Sequence, residues 1–171
     1  MSAPSQQAWQ QAAESAWNYL QQGQDIAFAC LGDVSFYSTF TYLAHTLQEL
    51  HPEVEIDTVP GVCSPMAIAS CLQIPLTVNH ERLTILPALH TVRELETALE
   101  SAEVVILLKI SSVYQQVWQI LQSKNLLDCS YVVEKATFPD SKIYQNLAEL
   151  PQLDLSYFSI MIIKKAVSFK P

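Results

Sequence analysis

Short apolar runs alternate along this chain with segments whose apolar residues recur at helical spacing. The runs and extended pieces are 25–31, 53–59, 83–86, 103–110, 130–134, 142–146 and 157–165, and the helical segments are 6–22, 38–50, 64–72, 91–100 and 112–124. Strands that alternate with helices predict an α/β protein with largely parallel sheets. No helix separates the last strands, so part of the second sheet is predicted to be antiparallel.

The charge distribution divides the chain. Net charge is −8 over 171 residues, which argues against a nucleic-acid partner because phosphate binding needs a basic surface. All nine Lys and Arg residues lie at or after Arg82, whereas acidic residues occur throughout. This asymmetry predicts two units with a junction near residue 80, namely domains 1–79 and 80–171.

Several common classes of site and segment are missing from the sequence. No apolar run approaches the roughly 20 residues that span a bilayer, and no signal peptide is evident, so we expect a cytoplasmic protein without a membrane partner. The four cysteines have no CxxC spacing and the histidines no HExxH spacing, so no metal site is predicted. The cysteines are Cys30, Cys63, Cys71 and Cys129.

Two loops carry the features of a ligand site. "LGD" (31–33) and "VPGVCS" (59–64) each follow a predicted strand and precede a helix, the position at which open α/β sheets bind ligands. Gly32 and Gly61 lack a Cβ, so the backbone there can approach a ligand closely. A helix N-terminus suits a carboxylate or a phosphate, but neither GxGxxG nor GxxxxGK[ST] is present.

These loops and their flanks resemble a known family. "LGDVSFYSTFTYL", "VEIDTVPGVCSPMAIASCLQIPL", "VVILLKI" and "LSYFSIMIIKK" are similar, in this order, to segments of the tetrapyrrole (corrin and porphyrin) methylases. The similarity runs from about residue 8 to 165. "YSTF" is its most specific element and favours the precorrin-2 C20-methyltransferase subfamily.

The resemblance implies a fold, a reaction and partners. Family members are class III methyltransferases, which are homodimers of two small αβα domains with a ligand cleft between them. Residues 1–79 are then the remainder of the N-terminal domain, and residues 80–171 form a C-terminal domain with a mixed sheet. The implied reaction transfers a methyl group from S-adenosyl-L-methionine to C20 of precorrin-2 or cobalt-factor II in cobalamin biosynthesis, leaving S-adenosyl-L-homocysteine.

The resemblance also implies site residues. The methyl donor is expected against Leu31, Gly32, Asp33, Phe36, Pro60, Cys63, Ser64, Leu108 and Ala136. Asp33 is the candidate catalytic carboxylate, which would bind the donor, offset its positive charge or accept a proton; the alternative is that it only caps the turn. Candidate contacts of the anionic tetrapyrrole are Tyr37, Arg82, Lys109 and Lys135, although lysines and arginines are more often simply solvated.

Two departures from the family pattern bear on activity. Val34 stands where the family loop has proline, so the loop loses a fixed φ. The family's first strand and "GxGPGDP" loop have no counterpart before Ala8, so the first domain is expected to lack about one βα unit. Two alternatives to the C20 reaction therefore stay open: an inactive paralogue that acts by dimerisation, and methylation of another corrin position.

Overall fold

The computed structural model describes residues 3–165, and the chain forms two compact units that divide between Cys63 and Ser64. We call them unit 1 and unit 2. Their boundary precedes the junction that the charge pattern places near residue 80. The assignment of domains 1–79 and 80–171 stays a prediction.

Unit 1 is built on two helices, α1 (Ala3–Leu20) and α2 (Phe40–Leu50). They run in the same direction, because Trp9 lies against Tyr42 near their starts and Trp17 stacks on His51 at their ends. The Trp17 and His51 ring centroids are 4.0 Å apart. Both helices confirm the sequence prediction, since aromatic residues at helical spacing form the stripe through which they pack.

The two strands predicted in unit 1 are wrong. Residues 24–30 and 53–63 have no regular structure, and Ile26, Phe28 and Val59 are exposed. An apolar run becomes a strand only when a neighbouring strand pairs with its backbone N–H and C=O groups. Among residues 3–165, neither segment has such a neighbour, so local preference for extended backbone does not produce a sheet.

Unit 2 contains the rest of the predicted elements. They are α3 (Ser64–Cys71), β1 (Leu83–Leu86), α4 (Val92–Ser101), β2 (Val104–Leu108), α5 (Tyr114–Ser123), β3 (Ser130–Glu134), β4 (Lys142–Tyr144) and β5 (Ser159–Lys164). Local chemistry fixes the start of α4, where the Thr91 side chain accepts from the Glu94 N–H and the Glu94 carboxylate accepts from the His90 N–H. This reciprocal pattern satisfies the Glu94 N–H, which the first turn of a helix leaves unpaired, and ties the helix to His90 just before its N-cap.

The strands form one sheet in the order β1-β2-β5-β3-β4. Among the strands of residues 3–165, only β1 and β2 are parallel and every other pair is antiparallel. The expectation of largely parallel sheets is therefore wrong, and that of an antiparallel part is confirmed. The cause is β5, which inserts between β2 and β3 and runs against both. As a result, the carboxyl ends of β2 and β3 and the amino end of β5 meet at one edge of the sheet.

The hydrophobic core of unit 2 lies between this sheet and helices α4 and α5. β2 and β5 are buried along their whole length, as continuous apolar runs predict for central strands. Trp118 and Tyr114 of α5 complete the core with their polar atoms satisfied, donating to the carbonyls of Leu147 and Leu150. Within residues 3–165, no helix has the length and hydrophobicity needed to cross a membrane.

Candidate functional site

In unit 1, Asp33 joins the two loops that the sequence singled out. We call residues 31–36 the Gly-Asp loop and residues 59–63 the Pro-Gly loop. Asp33 Oδ2 accepts the Gly61 N–H at 2.8 Å, while Oδ1 accepts the N–H and the hydroxyl of Ser35. These hydrogen bonds lower the pKa of Asp33, because each stabilises the ionised form. The bond from the Ser35 hydroxyl has the largest effect.

The two loops also meet backbone to backbone. A Cβ on Gly61 would lie 2.0 Å from the Gly32 carbonyl oxygen, a distance at which no side chain fits. Gly32 has φ +91°, in a region that other residues rarely adopt. The glycines that the sequence assigned to ligand contact are therefore required, in the first place, for the contact between the loops.

Around this junction the other predicted residues of unit 1 present an apolar and aromatic surface. Leu31 and Tyr37 are exposed, Phe36 is half-buried, and the Phe36 and Tyr37 rings pack edge to face with centroids 4.7 Å apart. Pro60 is exposed and Cys63 is half-buried in the Pro-Gly loop. Ser38 caps the turn into α2, since its hydroxyl accepts the Phe40 N–H.

In unit 2, the sheet brings four other predicted residues to one edge. Leu108 ends β2, and Lys109 follows it. Lys135 and Ala136 follow β3, which lies across β5 from β2. We call this the carboxyl edge, and it is where a ligand site of an α/β protein is expected. The Lys135 N–H donates to the Phe158 carbonyl at 2.8 Å, which joins the turn after β3 to the segment that precedes β5.

Left-handed backbone occurs at several of these predicted sites. Lys109, Lys135 and Thr137 have φ of 54°, 50° and 71°, and Tyr37, the residue after the Gly-Asp loop, has φ 51°. Left-handed conformations are uncommon outside Gly, Asn and Asp, and for a β-branched residue such as Thr137 they are a genuine outlier. Such strain occurs preferentially at functional sites, so it supports the carboxyl edge as a binding surface.

Sequence reasoning missed the aromatic residues of the carboxyl edge. Tyr157 and Phe158 are more than half exposed and pack edge to face, and Phe158 stacks with Phe138 at 6.3 Å between centroids. The Lys109 ammonium lies over the Tyr157 ring, 5.6 Å from its centroid. The sequence carried a signal for them, because two successive aromatic residues begin the last apolar run, 157–165.

The surroundings of three further side chains bear on their predicted roles. Arg82 lies at the opposite end of the sheet, before β1, where its N–H and guanidinium bind the Glu103 carboxylate; it is therefore separated from the carboxyl edge. The Lys135 ammonium pairs with Asp140, which raises the pKa of Lys135. Ser64 begins α3 and is half-buried.

These surfaces offer binding groups rather than a reactive nucleophile. The Gly-Asp and Pro-Gly loops present backbone, an ionised carboxylate and aromatic rings, and the carboxyl edge presents aromatic rings beside ammonium groups. Both combinations suit ligands with flat rings and charged substituents. Between residues 3 and 165, no group of three or more His, Cys, Asp or Glu side chains is placed to hold a metal ion.

Comparison with known proteins gives a consistent set of relatives. The sequence profile of the Tetrapyrrole (Corrin/Porphyrin) Methylases matches residues 2–151. The cobalt-precorrin-2 C(20)-methyltransferase of Salmonella typhimurium is 26% identical over 95% of this chain and 68% of its own length. A probable cobalt-precorrin-2 C(20)-methyltransferase of Methanocaldococcus jannaschii is 32% identical over 92% of this chain and 65% of its own length. The chain thus spans about two thirds of these relatives.

Solved structures agree on the fold. A cobalt precorrin-4 methyltransferase, CbiF, superimposes with a TM-score of 0.71 at 20% identity, over 90% of this chain and 69% of its own. The methyltransferase CobJ superimposes with a TM-score of 0.65 at 17% identity, over 94% of this chain and 71% of its own. A uroporphyrin-III C-methyltransferase of Thermus thermophilus, solved with S-adenosylhomocysteine, superimposes with a TM-score of 0.54 at 18% identity, over 78% of this chain and 63% of its own. The class III methyltransferase fold implied by the sequence resemblance is confirmed.

Proposed function

Because this chain belongs to the tetrapyrrole (corrin/porphyrin) methylases, we propose that it binds S-adenosyl-L-methionine and methylates C20 of precorrin-2 or of its cobalt form. The observation that carries the proposal is the similarity to two C20-methyltransferases over more than nine tenths of this chain. The reaction belongs to cobalamin biosynthesis, and the protein is proposed to act as a homodimer in the cytoplasm.

The proposed donor contacts carry chemical groups that suit S-adenosylmethionine. S-adenosylmethionine supplies an electrophilic methyl group on a positively charged sulfur. In unit 1, Leu31, Gly32 and Cys63 offer backbone, and Asp33 offers a fixed negative charge. In unit 2, the proposed donor contacts are Ser64, Leu108 and Ala136. The aromatic rings Tyr157 and Phe158 next to Ala136 suit the flat adenine.

Within this proposal, Asp33 acts through charge and position and does not accept a proton. Both of its oxygens are already hydrogen-bonded to Ser35 and Gly61, and the same bonds lower its pKa, which makes it a weak base. The carboxylate thereby holds the Gly-Asp loop against the Pro-Gly loop. A meso carbon of a reduced tetrapyrrole is itself nucleophilic, so the protein chiefly has to align it with the methyl group.

The tetrapyrrole carries many carboxylates, and the carboxyl edge supplies cations for them. Lys109 is the strongest candidate, since it is exposed and stands over the Tyr157 ring. Lys135 is already paired with Asp140, and Tyr37 stays a proposed contact in unit 1. Arg82 is the weakest candidate, because Glu103 already binds its guanidinium at the opposite edge of the sheet.

The first experiment is a calorimetric titration of the chain with S-adenosylhomocysteine. We expect micromolar binding, the range typical of enzyme ligands. Asp33→Ala should weaken it about tenfold or more, because the loops lose their link. Arg82→Ala is the matched control and should leave the affinity unchanged. The proposal fails if the unmodified chain shows no heat of binding. The role of Asp33 fails if Asp33→Ala and Arg82→Ala bind S-adenosylhomocysteine with the same affinity.

The methylated position needs a second experiment, because CbiF, a precorrin-4 methyltransferase by name, shares this fold. The chain is incubated with S-adenosylmethionine and precorrin-2, and the product is analysed by mass spectrometry and NMR. A single new methyl group at C20 is expected. A methyl group at another carbon would favour the alternative position. Donor binding without any transfer would favour an inactive paralogue that acts by dimerisation.

A further inference from the structure

Glu134 is a buried carboxylate at the carboxyl edge to which neither the sequence nor the comparisons assign a role. It ends β3 and is only 6% exposed. Its Oε1 accepts the Ser156 N–H at 2.9 Å, and its Oε2 accepts the Tyr144 hydroxyl at 3.2 Å. Burying a charged group is costly unless hydrogen bonds compensate for the lost water, and here both carboxylate oxygens have a hydrogen-bond donor.

These bonds connect the two parts of the carboxyl edge. Ser156 directly precedes Tyr157 and Phe158, and its carbonyl accepts the Ser159 hydroxyl at 2.7 Å. Lys135, the residue after Glu134, donates its N–H to the Phe158 carbonyl. The segment 156–158 is thus held to the end of β3 at both of its ends, once by the Glu134 side chain and once by the neighbouring backbone.

The carboxylate stays ionised in this setting. Ser156, through its hydroxyl and its N–H, lowers the pKa of Glu134, and burial opposes this effect. An ionised carboxylate is also the stronger acceptor for the two donors that it holds.

We propose that Glu134 is a positioning residue for the methyl donor: its carboxylate holds the Tyr157–Phe158 rings beside the Lys135–Ala136 turn, so that both form one binding surface. This inference rests on the proposed function, because the affinity it controls is that for S-adenosylmethionine. Glu134 acts through these neighbours and has no contact with the donor. A displacement of rings by an ångström is enough to lose much of a binding or catalytic effect.

The test measures S-adenosylhomocysteine affinity by calorimetry and unfolding by urea for the full chain and its variants. Glu134→Ala should raise Kd about tenfold, whereas Glu134→Gln should restore it to within about threefold, because the amide oxygen still accepts the Ser156 N–H. Ser130→Ala is the matched control, since it removes the hydrogen bond from a buried hydroxyl to the Leu126 carbonyl at the opposite end of β3. It should lower stability and leave Kd unchanged.

Each possible result either supports or overturns the positioning role of Glu134. Binding by the unmodified chain together with an unchanged Kd in Glu134→Ala overturns the inference and leaves the proposed function intact. A raised Kd in Ser130→Ala also overturns it, because general destabilisation then accounts for the effect. No binding by the unmodified chain overturns the proposed function and, with it, this role. If Glu134→Ala fails to fold, Tyr144→Phe decides: a Kd raised about threefold supports the inference and an unchanged Kd overturns it.

Discussion

The two units of this chain reach their candidate binding surfaces in different ways. In unit 1, two loops without regular structure are held together by a carboxylate and by glycines that let backbone touch backbone. In unit 2, the carboxyl edge is formed by the ends of strands that are buried throughout and paired on both sides. The first surface depends on a few atoms, and the second on a whole hydrophobic core.

The difference shows which substitutions each surface tolerates. A core of many apolar side chains distributes its stability over many contacts, so its edge keeps its shape when one surface residue changes. A loop pair joined at one carboxylate and one glycine contact has no such reserve. Single substitutions at the loop pair of unit 1 should therefore change ligand affinity, whereas substitutions in the core of unit 2 should chiefly change the free energy of unfolding.

The largest effect is expected from the ion pair in the interior of unit 2. Lys164 of β5 is 1% exposed, and its ammonium binds the Glu81 carboxylate and the Leu76 carbonyl. Glu81→Ala should lower the free energy of unfolding by about 3–5 kcal/mol, because it leaves a buried charge without its partner. Urea unfolding measures this loss.

A double variant serves as the control for that experiment. Glu81→Ala with Lys164→Met should recover much of the lost stability, since the buried charge is then absent. An equally large loss in the double variant would contradict this explanation. It would mean that packing at residue 81, rather than the unpaired charge, determines the stability.

A smaller but more local effect is expected from Gly61→Ala in unit 1. The new Cβ would lie 2.0 Å from the Gly32 oxygen, so the loops must separate, at about 1–3 kcal/mol. Affinity for S-adenosylhomocysteine should fall about tenfold, while amide exchange in β2 and β5 stays unchanged. Gly23→Ala is the control: its Cβ meets no atom within 4 Å, so it introduces only backbone strain and should not change affinity.

The smallest effect is expected from pH at the other edge of the sheet. The Arg82 side chain lowers the pKa of Glu103 to about 2, from an ordinary value of 4.5. Because this pKa is depressed on folding, the stabilisation is fully present above pH 4.5 and is lost as the pH falls toward about 2. The difference in urea midpoint between the parent and Glu103→Gln should shrink across that window. A difference in urea midpoint that stays constant with pH would show that the Arg82–Glu103 ion pair does not cause it.

How far the sequence predicted the site depended on where each residue lies in the chain. Leu108, Lys109, Lys135 and Ala136 lie together at the carboxyl edge, and their positions at or after apolar runs are local properties of the sequence; their roles in binding stay predictions. The partners of Asp33 and Arg82 were not predictable in this way. Gly61 lies 28 residues from Asp33, and Glu103 lies 21 residues from Arg82, so only the folded chain brings them together.

The sequence by itself determined the helices, the strands of unit 2 and the family, because periodicity, capping groups and motif order are all written locally. The tertiary structure alone decided the rest. It placed β5 between β2 and β3, which made the sheet mostly antiparallel, and it left residues 25–31 and 53–59 without strand partners. The physical reason is that sheet pairing joins residues far apart in the chain, and a strand's own sequence does not name its neighbour.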